Sequence, residues 1–205
     1  MKKINMILCA AVLTCAAFMV SCQKDVEPPV LTDVTTKEYS NTYDFVSLTT
    51  VETVSQKEVD ADGNNVTHAD VVTTTVQNAL SGEGTAAATI SWNDSKTSKG
   101  FKQYNLRINS VYCNNKQKVG TGNFEDLGEN WFNYYSTTFY KKNGKYYTQN
   151  LQPVTGNPEA DNVTLTYTEV NVDDQIGWKP KNDKRVNIVT TTTVYTLVLK
   201  ASASL

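Results

Sequence analysis

This 205-residue chain has one histidine and four cysteines, and the spacing of its residues that could perform catalysis fits no catalytic motif. Ser–His–Asp or Cys–His catalysis would have to use His68, the single histidine, and no G-x-S-x-G nucleophile accompanies it. Asp60 and Asp62 suggest a calcium loop, but Gly63 stands fourth and Val71 twelfth, where an EF-hand needs glycine sixth and glutamate twelfth. We therefore interpret His68 as an ordinary strand residue and expect no metal site.

Cysteine chemistry is equally restricted. After the leader and the Cys22 discussed below, Cys113 is the single cysteine left, so no intramolecular disulfide is possible, and we interpret Cys113 as a buried strand thiol. Zinc-ligand clusters and phosphate-binding glycine loops are missing from the sequence, so no cofactor is expected. A pair of glycosidase-type carboxylates assembled from distant strands leaves no local signature, which keeps a hydrolase open as an alternative.

The N-terminus has the pattern of a secretory signal. Two lysines precede an apolar run over residues 4–20 that is too short for a membrane span. Its end, Met19-Val20-Ser21-Cys22, resembles the lipobox of bacterial lipoproteins, although methionine stands where leucine is commoner. In that family the cysteine thiol is acylated and the peptide is cut before it. The resemblance implies that residues 1–21 are a signal peptide and that Cys22 carries lipid.

The residues after Cys22 predict a location. Gln23-Lys24-Asp25-Val26-Glu27 resembles the acidic, lysine-containing tract of Bacteroidota lipoproteins sent to the cell surface, with a plain solvated tether as the alternative. Pro28-Pro29 favours an extended chain, so we expect residues 22–36 to be a tether and residues 37–205 to be one β domain. Each acyl methylene that is buried in a bilayer contributes about 0.8 kcal/mol to membrane binding. The implied partner is the outer membrane, at the cell surface or on its periplasmic face.

Composition favours an all-β domain that does not bind nucleic acid. Without two leader lysines, 17 basic residues face 21 acidic ones, a net charge of −4. The chain holds 28 threonines, many in blocks such as Thr73–Thr75 and Thr190–Thr193, and branching at Cβ favours extended backbone. Residues 101–113 alternate apolar and polar side chains, and Asn143-Gly144 is typical of a tight hairpin. We predict eight to ten strands in an antiparallel β-sandwich or barrel-like domain, with one short helix starting at Asn123–Leu127.

Eight aromatic residues lie between positions 131 and 147. On a strand one face must be core, while rings on the other face could stack on the apolar faces of sugars beside Asn and Lys groups that bond hydroxyls. Core or inter-sheet packing is the competing interpretation of the same rings. The candidate ligand-binding residues, including one from the long segment 172–184, are Trp131, Tyr135, Tyr140, Tyr147 and Trp178.

Three functions fit these observations. The first is a non-enzymatic, membrane-anchored lipoprotein whose β domain binds a glycan or protein at the cell envelope. The second is an aerolysin-like β-pore-forming protein, suggested by the long Ser/Thr-rich strands. The third is the hydrolase with dispersed carboxylates.

Overall fold

A computed structural model of the chain describes residues 37–80 and 87–202. The signal peptide, the lipidation of Cys22 and the tether all concern residues 1–36 and lie outside the described residues. Within the described ranges there is no helix, and hence none that is long and apolar enough to cross a membrane.

The described residues form twelve strands joined into one antiparallel sheet, which confirms the all-β, antiparallel prediction. The strand number exceeds the expected eight to ten partly because two strands have two residues each. The strands are β1 Glu38–Val59, β2 Asn65–Val66, β3 Val71–Ala79, β4 Ala88–Lys96, β5 Lys102–Ile108, β6 Val111–Val119, β7 Glu125–Phe132, β8 Tyr135–Lys142, β9 Lys145–Tyr147, β10 Pro153–Val154, β11 Asn162–Asp174 and β12 Val186–Ala201.

Two local predictions are wrong. The segment expected to start a helix after Asn123 becomes strand β7, because it pairs with β6 and tertiary pairing overrides a local capping pattern. His68 lies in the connection between β2 and β3 instead of in a strand, and its Nε2 is 2.6 Å from Oε2 of Glu58. The hairpin turn before it is confirmed, with Gly63 at a φ of +92°.

Strand β1 is the central strand of the sheet and pairs with four other strands. Along one edge it pairs with β12 from Tyr43 to Val59. Along the other edge its first part pairs with β4 and its later part with β3, and a register shift between Phe45 and Ser47 separates the two. Such an irregularity bends a strand. The sheet therefore divides at this point into a branch β4-β5-β8-β9-β10 and a branch β3-β6-β7.

The first branch curves back towards β11. A single bridge joins them, with the backbone N–H of Thr155 donating to Thr166 O at 2.9 Å and the reverse bond at 3.0 Å. One bridge does not make a continuous ladder, so the sheet is sandwich-like and is not closed into a barrel. Because β9 pairs only with residues 140–142 of β8, residues 135–139 have β5 as their sole ladder partner in the described part of the chain.

The core lies on one face of this curved sheet. Tyr104, Leu106 and Ile108 of β5 are fully buried and alternate with exposed polar residues, which confirms the predicted alternation over residues 102–108. The strand predicted at 101–113 is divided, because β5 ends at Ile108 and β6 begins at Val111, and Val111 and Cys113 are buried there instead of Tyr112. Phe139 of β8 packs on the same core. Burial of a side chain of this size stabilises the folded state by about 1.5–3 kcal/mol. Cys113 is buried and free on β6, as predicted, and burial raises the pKa of its thiol.

The far parts of the long strands extend beyond this core. We call residues 50–59, 71–76, 168–174 and 186–196 the arm. Its β1 and β12 segments have no buried residue on either face, and each segment carries threonine on both faces. The arm is therefore a sheet whose two faces both remain partly open to solvent.

Candidate functional site

The surface opposite the core, on β4, β5 and β8, carries almost only neutral polar side chains. Strand register places Ser91 beside Asn105, and Asn105 beside Thr138. The next row holds Thr89, Arg107 and Ser136. Since side chains alternate along a strand, these groups point away from the buried residues between them. We call this surface the polar face; its members are Thr89, Ser91, Asn93, Gln103, Asn105, Arg107, Ser136 and Thr138.

Three depressions adjoin on the polar face. The first, of about 590 Å³, and the second, of about 900 Å³, share Ser91 and Asn105 in their walls. The third, of about 250 Å³, shares Thr97 with the first and Gln149 with the second. The first two volumes lie in the range of about 300–1,000 Å³ that is typical of ligand sites in proteins. The shared walls make the three depressions neighbouring parts of one extended surface.

Asn105 lies at the centre of this surface. Its Oδ1 accepts hydrogen bonds from Nε2 of Gln103 at 2.9 Å and from Oγ1 of Thr138 at 3.3 Å. These two bonds fix the orientation of the amide and leave its NH₂ group without a side-chain acceptor in the described ranges. A ligand in either of the first two depressions therefore meets an oriented donor.

Arg107 is the guanidinium of the polar face. Its carbon Cζ lies 5.7 Å from the ring centre of Tyr134, which is 55% exposed. Among the described residues no carboxylate lies within ion-pair distance of Arg107. Both side chains line the second depression, and Glu169 of β11 lines it too. This depression thus combines a ring, hydroxyl groups, the Glu169 carboxylate and a guanidinium with no ion-pair partner in the described ranges.

Two of the predicted aromatic residues lie next to the polar face. Tyr140 and Tyr147 are ladder partners, and Tyr140 pairs with Gln103 on its other side. Phe101 contacts both rings edge-on, at centroid distances of 6.1 and 6.2 Å. Tyr140 and Phe101 also line the third depression. The structure therefore brings Tyr140 and Tyr147 together at one end of the surface.

The other three predicted residues lie elsewhere. Trp131 is on β7, 58% exposed, and packs against Tyr112. Tyr135 turns towards the core and shares a hydrogen bond with Tyr167, and burial raises its pKa to about 12. Trp178 lies between β11 and β12 and is 88% exposed. In the described ranges none of these rings is in contact with Tyr140 or Tyr147.

Sequence reasoning missed Asn105, Gln103, Arg107, Ser91 and Tyr134. A signal was present in the predicted amphipathic strand. Its solvent-facing positions carry amides and one arginine, whereas lysine and glutamate are the commoner choice for a merely solvated face.

A charged cluster beside the core consists of Glu159 and the side chains that bind its carboxylate. Glu159, between β10 and β11, accepts hydrogen bonds from the Tyr104 hydroxyl and from Nζ of Lys141, at 3.2 Å to Oε2. Nζ of Lys102 lies 3.9 Å away. Burial acts to raise the pKa of Glu159, but the two hydrogen bonds and the two lysine charges outweigh it and lower that pKa. Burial and Glu159 together raise the pKa of Tyr104.

The residues that the structure describes offer no group of three or more His, Cys, Asp or Glu side chains that could hold a metal ion. Comparison with known proteins gave no relationship: no family model matches the chain, and neither does any curated protein or solved structure. The polar face is therefore interpreted from its own geometry.

Proposed function

We propose that this chain is a lipid-anchored, non-catalytic binding protein of the bacterial outer membrane, and that its polar face binds a glycan. The observation that carries the proposal is the pair of adjoining depressions that share Ser91 and Asn105 and are lined mainly by amide and hydroxyl groups, with the third depression beside them.

The chemistry of this surface suits a sugar chain. Each sugar hydroxyl both donates and accepts a hydrogen bond, and Asn, Gln, Ser and Thr can match it in either direction. A sugar also has apolar C–H faces, for which the exposed ring of Tyr134 offers a flat partner. Single hydrogen bonds contribute about 0.5–1.5 kcal/mol net. Useful affinity thus requires several contacts, which an oligosaccharide lying across neighbouring depressions can make.

The proposed location follows from the sequence. The lipobox resemblance at Met19-Val20-Ser21-Cys22 supports a lipid anchor, and the tract Lys24-Asp25-Val26-Glu27 supports export to the cell surface. Protease treatment of intact cells, followed by immunoblotting, tests this part separately. Loss of the domain with a periplasmic control intact supports surface exposure. Full protection places the domain on the periplasmic side.

Glycan binding is tested with the full chain against a panel of plant, host and bacterial polysaccharides by affinity electrophoresis, followed by calorimetry on any ligand found. Asn105→Ala removes the central amide, and we expect binding about 5- to 30-fold weaker, the equivalent of one or two hydrogen bonds. Asn171→Ala is the matched control, because Asn171 is an exposed asparagine on the arm strand β11. Equal affinities of the two variants would contradict the proposal.

The arm supports a second candidate function, a β-pore former. Its segments of β1 and β12 carry threonine on both faces and bury neither face, as expected for strands that rearrange. The test is release of a trapped dye from liposomes by the full chain. Release at nanomolar protein supports this function, and intact liposomes at both neutral and acid pH remove it.

A further inference from the structure

We infer that Arg107 forms an anion-recognition subsite, so that the preferred ligand is an acidic glycan bearing a carboxylate or a sulfate ester. This inference rests on the proposed glycan-binding function of the polar face and specifies the class of sugar.

The first observation is that Arg107 has no ion-pair partner among the residues that the structure describes. The chain has two arginines, and the other, Arg185, donates from Nε to both carboxylate oxygens of Asp183 at 3.0 Å. Lys102 and Lys141, which flank the same sheet, both face Glu159. Arg107 alone of these four cations has no carboxylate partner in the described part of the chain.

The second observation is that a ring and neutral neighbours, without a carboxylate, surround the guanidinium on its own strand and the adjacent ones. The ring of Tyr134 lies 5.7 Å from Cζ, and the ladder neighbours on either side are Thr89 and Ser136, which are neutral. A guanidinium packed on a ring keeps the N–H groups along its edge available. Two parallel N–H donors match the two oxygens of a carboxylate or of a sulfate ester.

The third observation gives the subsite a direction. The second depression contains Arg107 and also Glu169, whose negative charge repels an anion. Towards the first depression, the shared residues Asn105 and Ser91 are neutral, and the two charged residues of its wall, Glu38 and Lys96, have opposite signs. An acidic sugar unit is therefore expected at Arg107, with neutral units continuing across Asn105.

The test compares paired polysaccharides that differ only in charge. The probes are polygalacturonate with its methyl ester, for carboxylate, and dextran sulfate with dextran, for sulfate. We expect the full chain to bind at least one acidic member about tenfold more tightly than its neutral partner, with the difference shrinking as salt rises. The pair that shows the difference distinguishes the two anions.

Arg107→Gln removes the charge, and Arg185→Gln is the control with the same change of net charge in the exposed connection between β11 and β12. We expect Arg107→Gln to abolish the preference for the acidic member of the pair, and Arg185→Gln to keep that preference. The inference is wrong if the two variants behave alike, or if the charged and neutral members of each pair bind equally. Binding of neutral sugars that depends on Asn105 would still support the proposed function in that case. If no member of either pair binds, this inference fails, and the wider panel decides the proposed function.

Discussion

Glu159 provides the sharpest test of how the fold is held together. It lies in the connection that follows β10, and its carboxylate receives the hydroxyl of Tyr104 from β5 and the ammonium of Lys141 from β8. We predict that Glu159→Gln, which keeps the shape and removes the charge, destabilises the fold. Two charge-assisted hydrogen bonds contribute about 1.5–3 kcal/mol each when fully formed.

The structure reduces that figure. The Glu159 side chain is 31% exposed, so solvent screens part of the interaction, and glutamine still accepts one neutral hydrogen bond. We expect a loss of about 1–2 kcal/mol, which for a domain of this size lowers Tm by about 2–8 °C. Asp161→Asn is the control, because Asp161 is an exposed carboxylate in the same connection. Its effect should stay within about 0.5 kcal/mol.

The pH dependence has a definite sign. The pKa of Glu159 is lower in the folded protein than its ordinary value of 4.5, so the folded state binds fewer protons than the unfolded chain in this range. The stabilisation is therefore complete above the ordinary value and disappears as pH falls through the lowered one. Urea unfolding of wild type and Glu159→Gln at pH 7 and at steps down to about pH 3.5 should show the difference shrinking. A difference that is unchanged by pH, or matched by Asp161→Asn, would refute the reasoning.

Two further predictions concern packing. Gly156→Ala should lower the free energy of unfolding by about 3 kcal/mol or more, because Gly156 has a φ of +102° and a Cβ there would lie 2.0 Å from the backbone oxygen of Thr164. Gly144 has a φ of +76° with open space around it, so Gly144→Ala should lower it by about 1 kcal/mol. Equal losses in urea unfolding would contradict this prediction. Tyr135→Phe and Tyr167→Phe should each lower the free energy of unfolding by about 1–2 kcal/mol, because each leaves the partner hydroxyl unpaired. The double variant should lose less than the sum of the two. Strict additivity in a double-mutant cycle would show that the two hydroxyls are not coupled.

The fold class could be predicted because its signals are local. Alternation along β5 has a period of two, so the buried Tyr104, Leu106 and Ile108 were identifiable from spacing alone. The turn between β8 and β9 was also predictable, because an Asn-Gly pair tolerates positive φ, and Asn143 and Gly144 adopt φ values of 51° and 76°.

The candidate site could not be predicted in the same way. Ser91, Asn105 and Thr138 are neighbours only through the registers of β4, β5 and β8, and register depends on pairing between distant segments. The aromatic cluster drew attention to the right strand, β8. However, its side chains alternate between faces, so Tyr140 lies beside the polar face while Tyr135 belongs to the core.

Hydrogen exchange of the full chain, with and without a bound glycan, tests the central claim most directly. We predict that the ligand slows amide exchange in residues 89–93, 103–107 and 136–140, which carry the polar face, and leaves residues 52–59 and 186–191 of the arm unchanged. Protection confined to the arm or to β7, with none on β4, β5 and β8, would contradict the account.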